Sequence, residues 1–109
     1  NCFLIKKILS RYCKNKIYIK SPNDLLVNKK KICGILQETL KKENVTYFII
    51  GIGLNLIKSP YIKNYPTINL LELTKKKVNK QKIISELKNI YEEFIEQFSK
   101  LSLKKINNL

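Results

Sequence analysis

The sequence predicts an α+β fold with a mixed, largely antiparallel sheet and packed helices. Three observations support this prediction. Apolar residues at helical spacing open the chain, four apolar segments of strand length follow, and a long amphipathic segment comes after them. Because the strand segments follow one another directly, this order disfavours a doubly wound fold, in which strands alternate with helices.

The opening segment is predicted to be an amphipathic helix of about three turns that ends at Asn15. Basic residues separate its apolar positions, which are Leu4, Ile5, Ile8, Leu9 and Tyr12. Residues 17–20 then alternate as a strand does, with Lys20 on the face opposite the isoleucines. Pro22 is expected to end this strand because proline has no N–H for a sheet ladder.

Two further strands, residues 25–27 and 32–36, are separated by a lysine-rich turn at hairpin spacing. Asn28 is suited to the positive φ angle that such a turn requires. A polar turn at residues 41–44 precedes a fourth strand, which is predicted over residues 46–56.

The rest of the chain is predicted to be mostly helical. Residues 58–66, which contain two prolines, are expected to form an irregular loop, and residues 68–74 a short helical turn. Asn79 is the predicted N-cap of a long helix. The apolar stripe of this helix is expected to face the core, and its members are Ile83, Ile84, Leu87, Ile90, Tyr91, Phe94 and Phe98. Residues 101–109 do not predict an element.

The residue types present limit the chemistry that is open to the chain. Histidine is absent and the 3 cysteines are scattered, which excludes serine-histidine triads, histidine zinc sites and CxxC redox pairs. Lysines, carboxylates and backbone amides remain. They suit adenylate formation, because a carboxylate substrate is already the nucleophile and only the triphosphate has to be positioned and neutralised.

The formal net charge of +14 has two interpretations. Clustered basic residues would indicate a nucleic-acid surface, since they release counterions from phosphates. The lysines are instead spread along the chain, and asparagine and isoleucine are also overused, which indicates compositional drift in an A+T-rich genome. A basic nucleic-acid-binding module without catalysis is the alternative from another functional class, although nucleic acid is not the expected partner.

Cellular location is predicted from cysteine usage and hydropathy. No segment has the ~20 apolar residues needed to span a bilayer, so no membrane partner is expected. Unpaired cysteines without framework spacing predict the reducing cytoplasm. Methionine is absent and the chain begins with Asn-Cys-Phe, so we interpret it as part of a longer protein.

Three tracts carry the candidate site: Lys20-Ser21-Pro22-Asn23-Asp24, Lys31-Ile32-Cys33-Gly34-Ile35-Leu36 with Glu38, and Gly51-Ile52-Gly53-Leu54-Asn55. The first two tracts, taken alone, also fit an ordinary turn or a solvated lysine. Strand alternation places Lys31, Cys33 and Ile35 on one face, and Gly34 lets a partner backbone approach closely. The glycines of the third tract clear a floor beside Asn55. This tract lacks the third glycine and the helix of a dinucleotide fingerprint.

In order and spacing, the three tracts resemble the KWPND, K-x-x-G-I-L-x-E and G-x-G-x-N motifs of biotin protein ligases, with Ser21 in place of the tryptophan. The resemblance implies the catalytic fold that biotin and lipoate ligases share with class II aminoacyl-tRNA synthetases. It implies that biotin and ATP, with Mg²⁺, give biotinyl-5′-AMP, and that biotin is transferred to a lysine of the biotin carboxyl carrier protein of acetyl-CoA carboxylase. A lipoate ligase of the same superfamily is the alternative.

The resemblance also implies roles for individual residues. Lys31 and Lys20 are the expected catalytic residues, with Lys31 on biotin and the adenylate phosphate, and Asp24 is the expected Mg²⁺ ligand. The expected substrate-binding residues are Asn23, Gly34, Ile35, Leu36, Gly51, Gly53 and Asn55. We expect Lys31, the three glycines and Asn55 to converge on one sheet face, with Lys20 and Asp24 at its rim.

Residues 1–109 are expected to form only part of the catalytic domain. The family's glycine- and arginine-rich loop and its small C-terminal β-barrel domain do not occur in the chain. We therefore expect the isolated segment to be inactive and to need the rest of the catalytic domain as a partner. Apolar surface that this partner would cover is expected to be exposed.

Overall fold

The computed structural model describes residues 1–107, and side-chain environments as far as residue 97. Its elements are α1 (Cys2–Leu9), β1 (Tyr18–Lys20), β2 (Asp24–Val27), β3 (Lys30–Lys42), β4 (Val45–Leu54), α2 (Leu70–Thr74) and α3 (Lys80–Asn107). The chain divides into two compact units, Asn1–Val78 and Asn79–Leu109. All candidate site residues belong to the first unit.

The first helix is shorter than the apolar pattern predicts. α1 ends at Leu9, and the backbone N–H of Ser10 bonds to the carbonyl of Lys6. The chain then continues in a tighter turn, in which the N–H groups of Arg11 and Tyr12 bond to carbonyls three residues earlier. Such a turn keeps Tyr12 close to the helical spacing, which is why the periodicity overestimates the helix.

The four strands form one antiparallel sheet in the order β1-β2-β3-β4, so the predicted fold class is confirmed. Asn28 and Lys29, with φ angles of 52° and 63°, make the turn between β2 and β3, as expected for Asn28. Glu43 and Asn44 make a similar turn between β3 and β4, with φ angles of 52° and 64°. Because both turns are tight, β3 extends beyond both of its predicted ends.

A β-bulge in β3 determines which residues face the candidate site. The register between β2 and β3 shifts at Ile32, which has no partner of its own. The prediction that Lys31, Cys33 and Ile35 share a face is therefore wrong. The extra residue turns Lys31 to the face of Gly34, where a Cβ would lie 3.0 Å from Lys31 Nζ. Cys33 and Ile35 are buried on the opposite face.

The hydrophobic core of the first unit lies on that opposite face, against α1. α1 contacts β2, and the Asn1 side chain donates a 2.6 Å hydrogen bond to the Gln37 side chain. The fully buried apolar side chains of the first unit are Ile5, Ile8, Leu9, Leu25, Val27, Ile32, Cys33 and Leu70. Their burial supplies the main favourable free energy of folding and leaves the other sheet face open for a ligand.

We expect Leu25→Ala to lower the free energy of unfolding by about 2–5 kcal/mol, because it removes methyl groups from a fully buried position and leaves a cavity. Leu40→Ala is the matched control, since Leu40 is 50% exposed, and its effect is expected within about 0.5 kcal/mol. Urea unfolding measures both variants. Equal destabilisation by the two changes would contradict this description of the core.

The outer part of the β3–β4 hairpin exposes apolar side chains on the cleft face of the sheet. Its members are 47% to 62% exposed, namely Leu36, Leu40, Val45, Tyr47 and Ile49. Within the part of the chain that the structure describes, no strand pairs with the outer edge of β4. Exposed apolar surface of this kind favours association, as the sequence predicts.

In the second unit, Asn79 caps α3 as predicted. Its side-chain oxygen accepts hydrogen bonds from the N–H groups of Gln81 at 3.0 Å and Lys82 at 3.3 Å. Ile83 and Ile90 are buried, whereas Ile84 and Phe94 are exposed, so only part of the predicted stripe is buried.

α3 extends to Asn107, although the last part of the sequence predicts no element. Residues 108–109 lie outside the described residues, as does the side chain of Phe98, the last member of the predicted stripe. Among the helices of the described residues, none has the length and hydropathy to cross a membrane.

Candidate functional site

An open cleft of about 460 Å³ lies on the sheet face opposite the core. Its lining residues are Asp24, Lys31, Gly34, Ile35, Leu36, Gly51, Ile52 and Gly53. The strand register explains this grouping, because Gly34 pairs with Asp24 on one side and with Gly53 on the other. The volume falls within the range of small-molecule sites, about 300–1,000 Å³.

The three glycines leave the floor of this cleft free of side chains. None of them has a positive φ angle, so the backbone conformation does not require glycine. A Cβ at Gly51 would lie 3.6 Å from Leu36 Cβ, and one at Gly53 would lie 3.7 Å from the Gly34 carbonyl oxygen. These are ordinary contacts, so the fold accepts side chains there. Because these glycines have no side chains, the space above the strands stays open.

Lys31 and Asp24 form an ion pair at one end of this floor. Lys31 Nζ lies 3.4 Å from Asp24 Oδ1, and both side chains are 24% exposed. The ammonium also lies next to Gly34, where any Cβ would push it aside. A partly buried cation that is already held beside a strand surface without side chains is positioned to bind an anionic group of a ligand.

Tyr65, from the loop between β4 and α2, completes this cluster. Its hydroxyl donates a 2.7 Å hydrogen bond to Asp24 Oδ2. Lys20 Nζ lies 4.4 Å from the centre of its ring, and Lys31 Nζ lies 5.5 Å from it. Burial, then the hydrogen bond to Asp24 and its negative charge, raise the pKa of Tyr65 to about 12, so the hydroxyl stays protonated at neutral pH.

Sequence reasoning missed Tyr65 because the residue lies in a loop without periodicity. The loop is held by the backbone of Lys31, whose N–H bonds to the Pro66 carbonyl at 2.8 Å and whose carbonyl accepts the Ile68 N–H at 2.9 Å. This pairing makes a parallel bridge between Lys31 and Thr67 beyond the end of β4. No local sequence signal identifies such a long-range pairing.

Asn55 follows β4 directly and secures this loop. Its side-chain nitrogen donates hydrogen bonds to the carbonyls of Lys31 at 3.3 Å and Ile68 at 3.1 Å. Asn55 is not one of the residues that line the cleft. In this arrangement the side-chain nitrogen of Asn55 is bonded to backbone carbonyls. The predicted contact of Asn55 with a ligand stays a prediction.

The remaining predicted residues lie around the cluster. Lys20 pairs with Asp24 across β1 and β2, which puts it on the cleft face. Asn23 accepts the Ile35 N–H on its carbonyl at 2.9 Å and so anchors the first tract to β3. The Ile35 side chain points to the core, so its backbone borders the cleft, whereas Leu36 is exposed on the cleft face.

The structure therefore brings together most of the predicted site on one face. Its members there are Lys20, Asp24, Lys31, Gly34, Leu36, Gly51 and Gly53.

The donor set for a metal ion is a single carboxylate. Within the described residues, no group of three or more histidine, cysteine or acidic side chains could hold a cation. Mg²⁺ is commonly held by one or two carboxylates together with substrate phosphates. Asp24 fits a site of this kind, in which one protein carboxylate and the oxygens of a bound triphosphate would coordinate the ion.

The three cysteines do not supply a nucleophile. Cys2, Cys13 and Cys33 are free and buried. Burial raises the pKa of Cys33 to about 12, so this thiol is neutral at physiological pH. The cleft therefore relies on lysine, carboxylate and backbone groups, as the residue types predict.

Comparison with known sequences agrees with these motifs. Residues 4–55 match the Biotin/lipoate A/B protein ligase family. A stretch of 43 residues is 51% identical to the bifunctional ligase/repressor BirA of Bacillus subtilis and covers 38% of this chain and 13% of that protein.

Solved structures show the same fold. A biotin protein ligase from Aquifex aeolicus is 22% identical, with a TM-score of 0.72 over 94% of this chain and 46% of that chain. LipL1 of P. falciparum in complex with lipoate is 21% identical, with a TM-score of 0.62 over 88% of this chain and 30% of that chain. The chain thus spans less than half the length of these proteins.

Proposed function

We propose that the chain is the second half of the catalytic domain of a biotin protein ligase, because residues 4–55 match the Biotin/lipoate A/B protein ligase family and 43 residues are 51% identical to the bifunctional ligase/repressor BirA. The enzyme converts biotin and ATP into biotinyl-5′-AMP and pyrophosphate, then transfers biotin to the amine of a carrier-protein lysine with release of AMP. The observation that carries this proposal is the Lys31–Asp24 pair at the end of the glycine floor.

The first step, adenylate formation, needs cations and no base. The biotin carboxylate attacks the α-phosphorus of ATP, and the bond to pyrophosphate breaks. Lys31, beside the floor, stabilises the negative charge that develops on the α-phosphate. Lys20, on the same face, neutralises the departing phosphates. The glycine floor lets the adenylate lie close to the strands.

We propose that Asp24 holds Mg²⁺ together with oxygens of the bound triphosphate. When bound, the ion neutralises phosphate charge. Asp24 Oδ1 faces Lys31, and its Oδ2 accepts the Tyr65 hydroxyl, so both oxygens are oriented by neighbours.

The proposed partners follow from the family. Biotin is favoured over lipoate by the three tracts and by the 51% identity to the bifunctional ligase/repressor BirA. The biotin carboxyl carrier protein and the rest of the catalytic domain are the proposed protein partners, and the exposed apolar hairpin face provides surface for the second of these. Three free cysteines agree with a cytoplasmic location.

ATP–pyrophosphate exchange tests this function in the chain combined with the missing part of the domain. Radioactive pyrophosphate should enter ATP when biotin is added, because biotinyl-5′-AMP formation is reversible. No exchange should occur without an acid substrate. Exchange that depends on lipoate instead would support the lipoate ligase alternative, and exchange with neither acid would contradict the proposal.

A further inference from the structure

Tyr65 contacts all three charged side chains of the candidate site. Its hydroxyl is bonded to Asp24 Oδ2 at 2.7 Å, and its ring lies 4.4 Å from Lys20 Nζ and 5.5 Å from Lys31 Nζ. One residue therefore touches both proposed phosphate-binding cations and the proposed metal ligand.

We propose that Tyr65 is a positioning residue, which holds Lys20, Lys31 and Asp24 in the arrangement in which they meet a triphosphate. The inference rests on the proposed function and adds a residue outside the three sequence tracts. A lysine side chain is long and flexible, and two like charges repel each other. An aromatic face that attracts both ammonium groups offsets this repulsion before the anion arrives.

The hydrogen bonds that fix the loop between β4 and α2 make Tyr65 suitable for this role. The next residue, Pro66, accepts the Lys31 N–H at 2.8 Å, and the Asn55 side chain bonds to the carbonyls of Lys31 and Ile68. The ring is thus tied to the backbone of a lysine that it contacts. Its hydroxyl fixes one carboxylate oxygen of Asp24 and leaves the other facing Lys31.

NMR of the free chain tests the placement without any ligand. Protons held over an aromatic ring resonate upfield, so the ε-methylene protons of Lys20 should be shifted upfield in the wild type and in Tyr65→Phe. The shift should disappear in Tyr65→Leu. Tyr61→Leu is the matched control from the same loop, where Tyr61 is 90% exposed, and it should keep the shift. An ordinary Lys20 resonance in the wild type would overturn the proposal.

Calorimetric titration with tripolyphosphate tests whether this placement of the lysines strengthens phosphate binding. Tyr65→Leu should bind about five- to tenfold more weakly, as expected for the loss of two cation–ring contacts, whereas Tyr65→Phe should stay within about twofold without magnesium. With magnesium, Tyr65→Phe should also weaken, because Asp24 loses its hydrogen bond. A purely structural role would not separate the two variants in this way.

The outcomes are distinguishable. Wild-type affinity for tripolyphosphate in Tyr65→Leu would overturn the positioning role. If the wild type binds no better than a variant with both Lys20→Ala and Lys31→Ala, the proposed phosphate site fails. In that case a persistent upfield shift would still support the placement of Lys20 by Tyr65.

Discussion

Lys31→Ala is expected to lower biotinyl-adenylate formation by about 10²- to 10³-fold in the complete enzyme, the usual loss for one group that stabilises transition-state charge. Lys29→Ala and Lys30→Ala should keep nearly full activity. All three changes remove the same charge from the same hairpin. Only Lys31 is half-buried, paired with Asp24 and directed to the glycine floor, whereas Lys29 and Lys30 are exposed.

Pyrophosphate release in the presence of biotin and ATP measures this difference. The two exposed lysines control for net charge, and unfolding curves of each variant control for stability. Equal activity of the three variants would show that Lys31 has no catalytic role and that the three lysines simply form a solvent-exposed turn.

Gly53→Val is expected to abolish adenylate binding while the fold survives. The φ angle of Gly53 suits any residue, and a Cβ meets only the Gly34 carbonyl oxygen at 3.7 Å. A strand side chain at this position therefore stands in the cleft and occupies ligand space. Stability should be unchanged or increase by up to about 1 kcal/mol, because glycine is unfavourable inside a strand.

Thr46→Val in the same strand, outside the cleft, is the matched control and should leave binding unchanged. Binding of biotinyl-5′-AMP and thermal unfolding are measured for both variants. Normal binding by Gly53→Val, or its failure to fold, would contradict the interpretation of the glycines as a ligand floor.

Most of the fold follows from local patterns. The four strands are predicted from alternation and turn residues, and the positive φ angle of Asn28 agrees with its place in a hairpin. Asn79 is predicted as the N-cap of α3 because its side-chain oxygen can accept hydrogen bonds from the free N–H groups of the first helical turn. These features depend on neighbours in sequence, so the sequence is sufficient to predict them.

The errors arise where the pairing of two segments, near or distant in sequence, determines the geometry. The bulge at Ile32 reverses the face of Lys31, and it depends on pairing with β2. Alternation alone therefore puts Lys31 on the wrong face, although the expected meeting of Lys31 with the glycines is observed. Tyr65 reaches Asp24 across 41 positions of the chain through a loop that has no periodic pattern.

An NMR titration with biotinyl-5′-AMP, carried out on the isotope-labelled chain combined with the rest of the catalytic domain, tests directly whether the glycine-floored cleft is the adenylate site. At physiological salt, we expect saturable shifts of the backbone amides of Lys31, Gly34, Gly51 and Gly53, with α1 unchanged. Shifts confined to exposed lysines elsewhere, or glycine amides that do not respond, would contradict this assignment of the site.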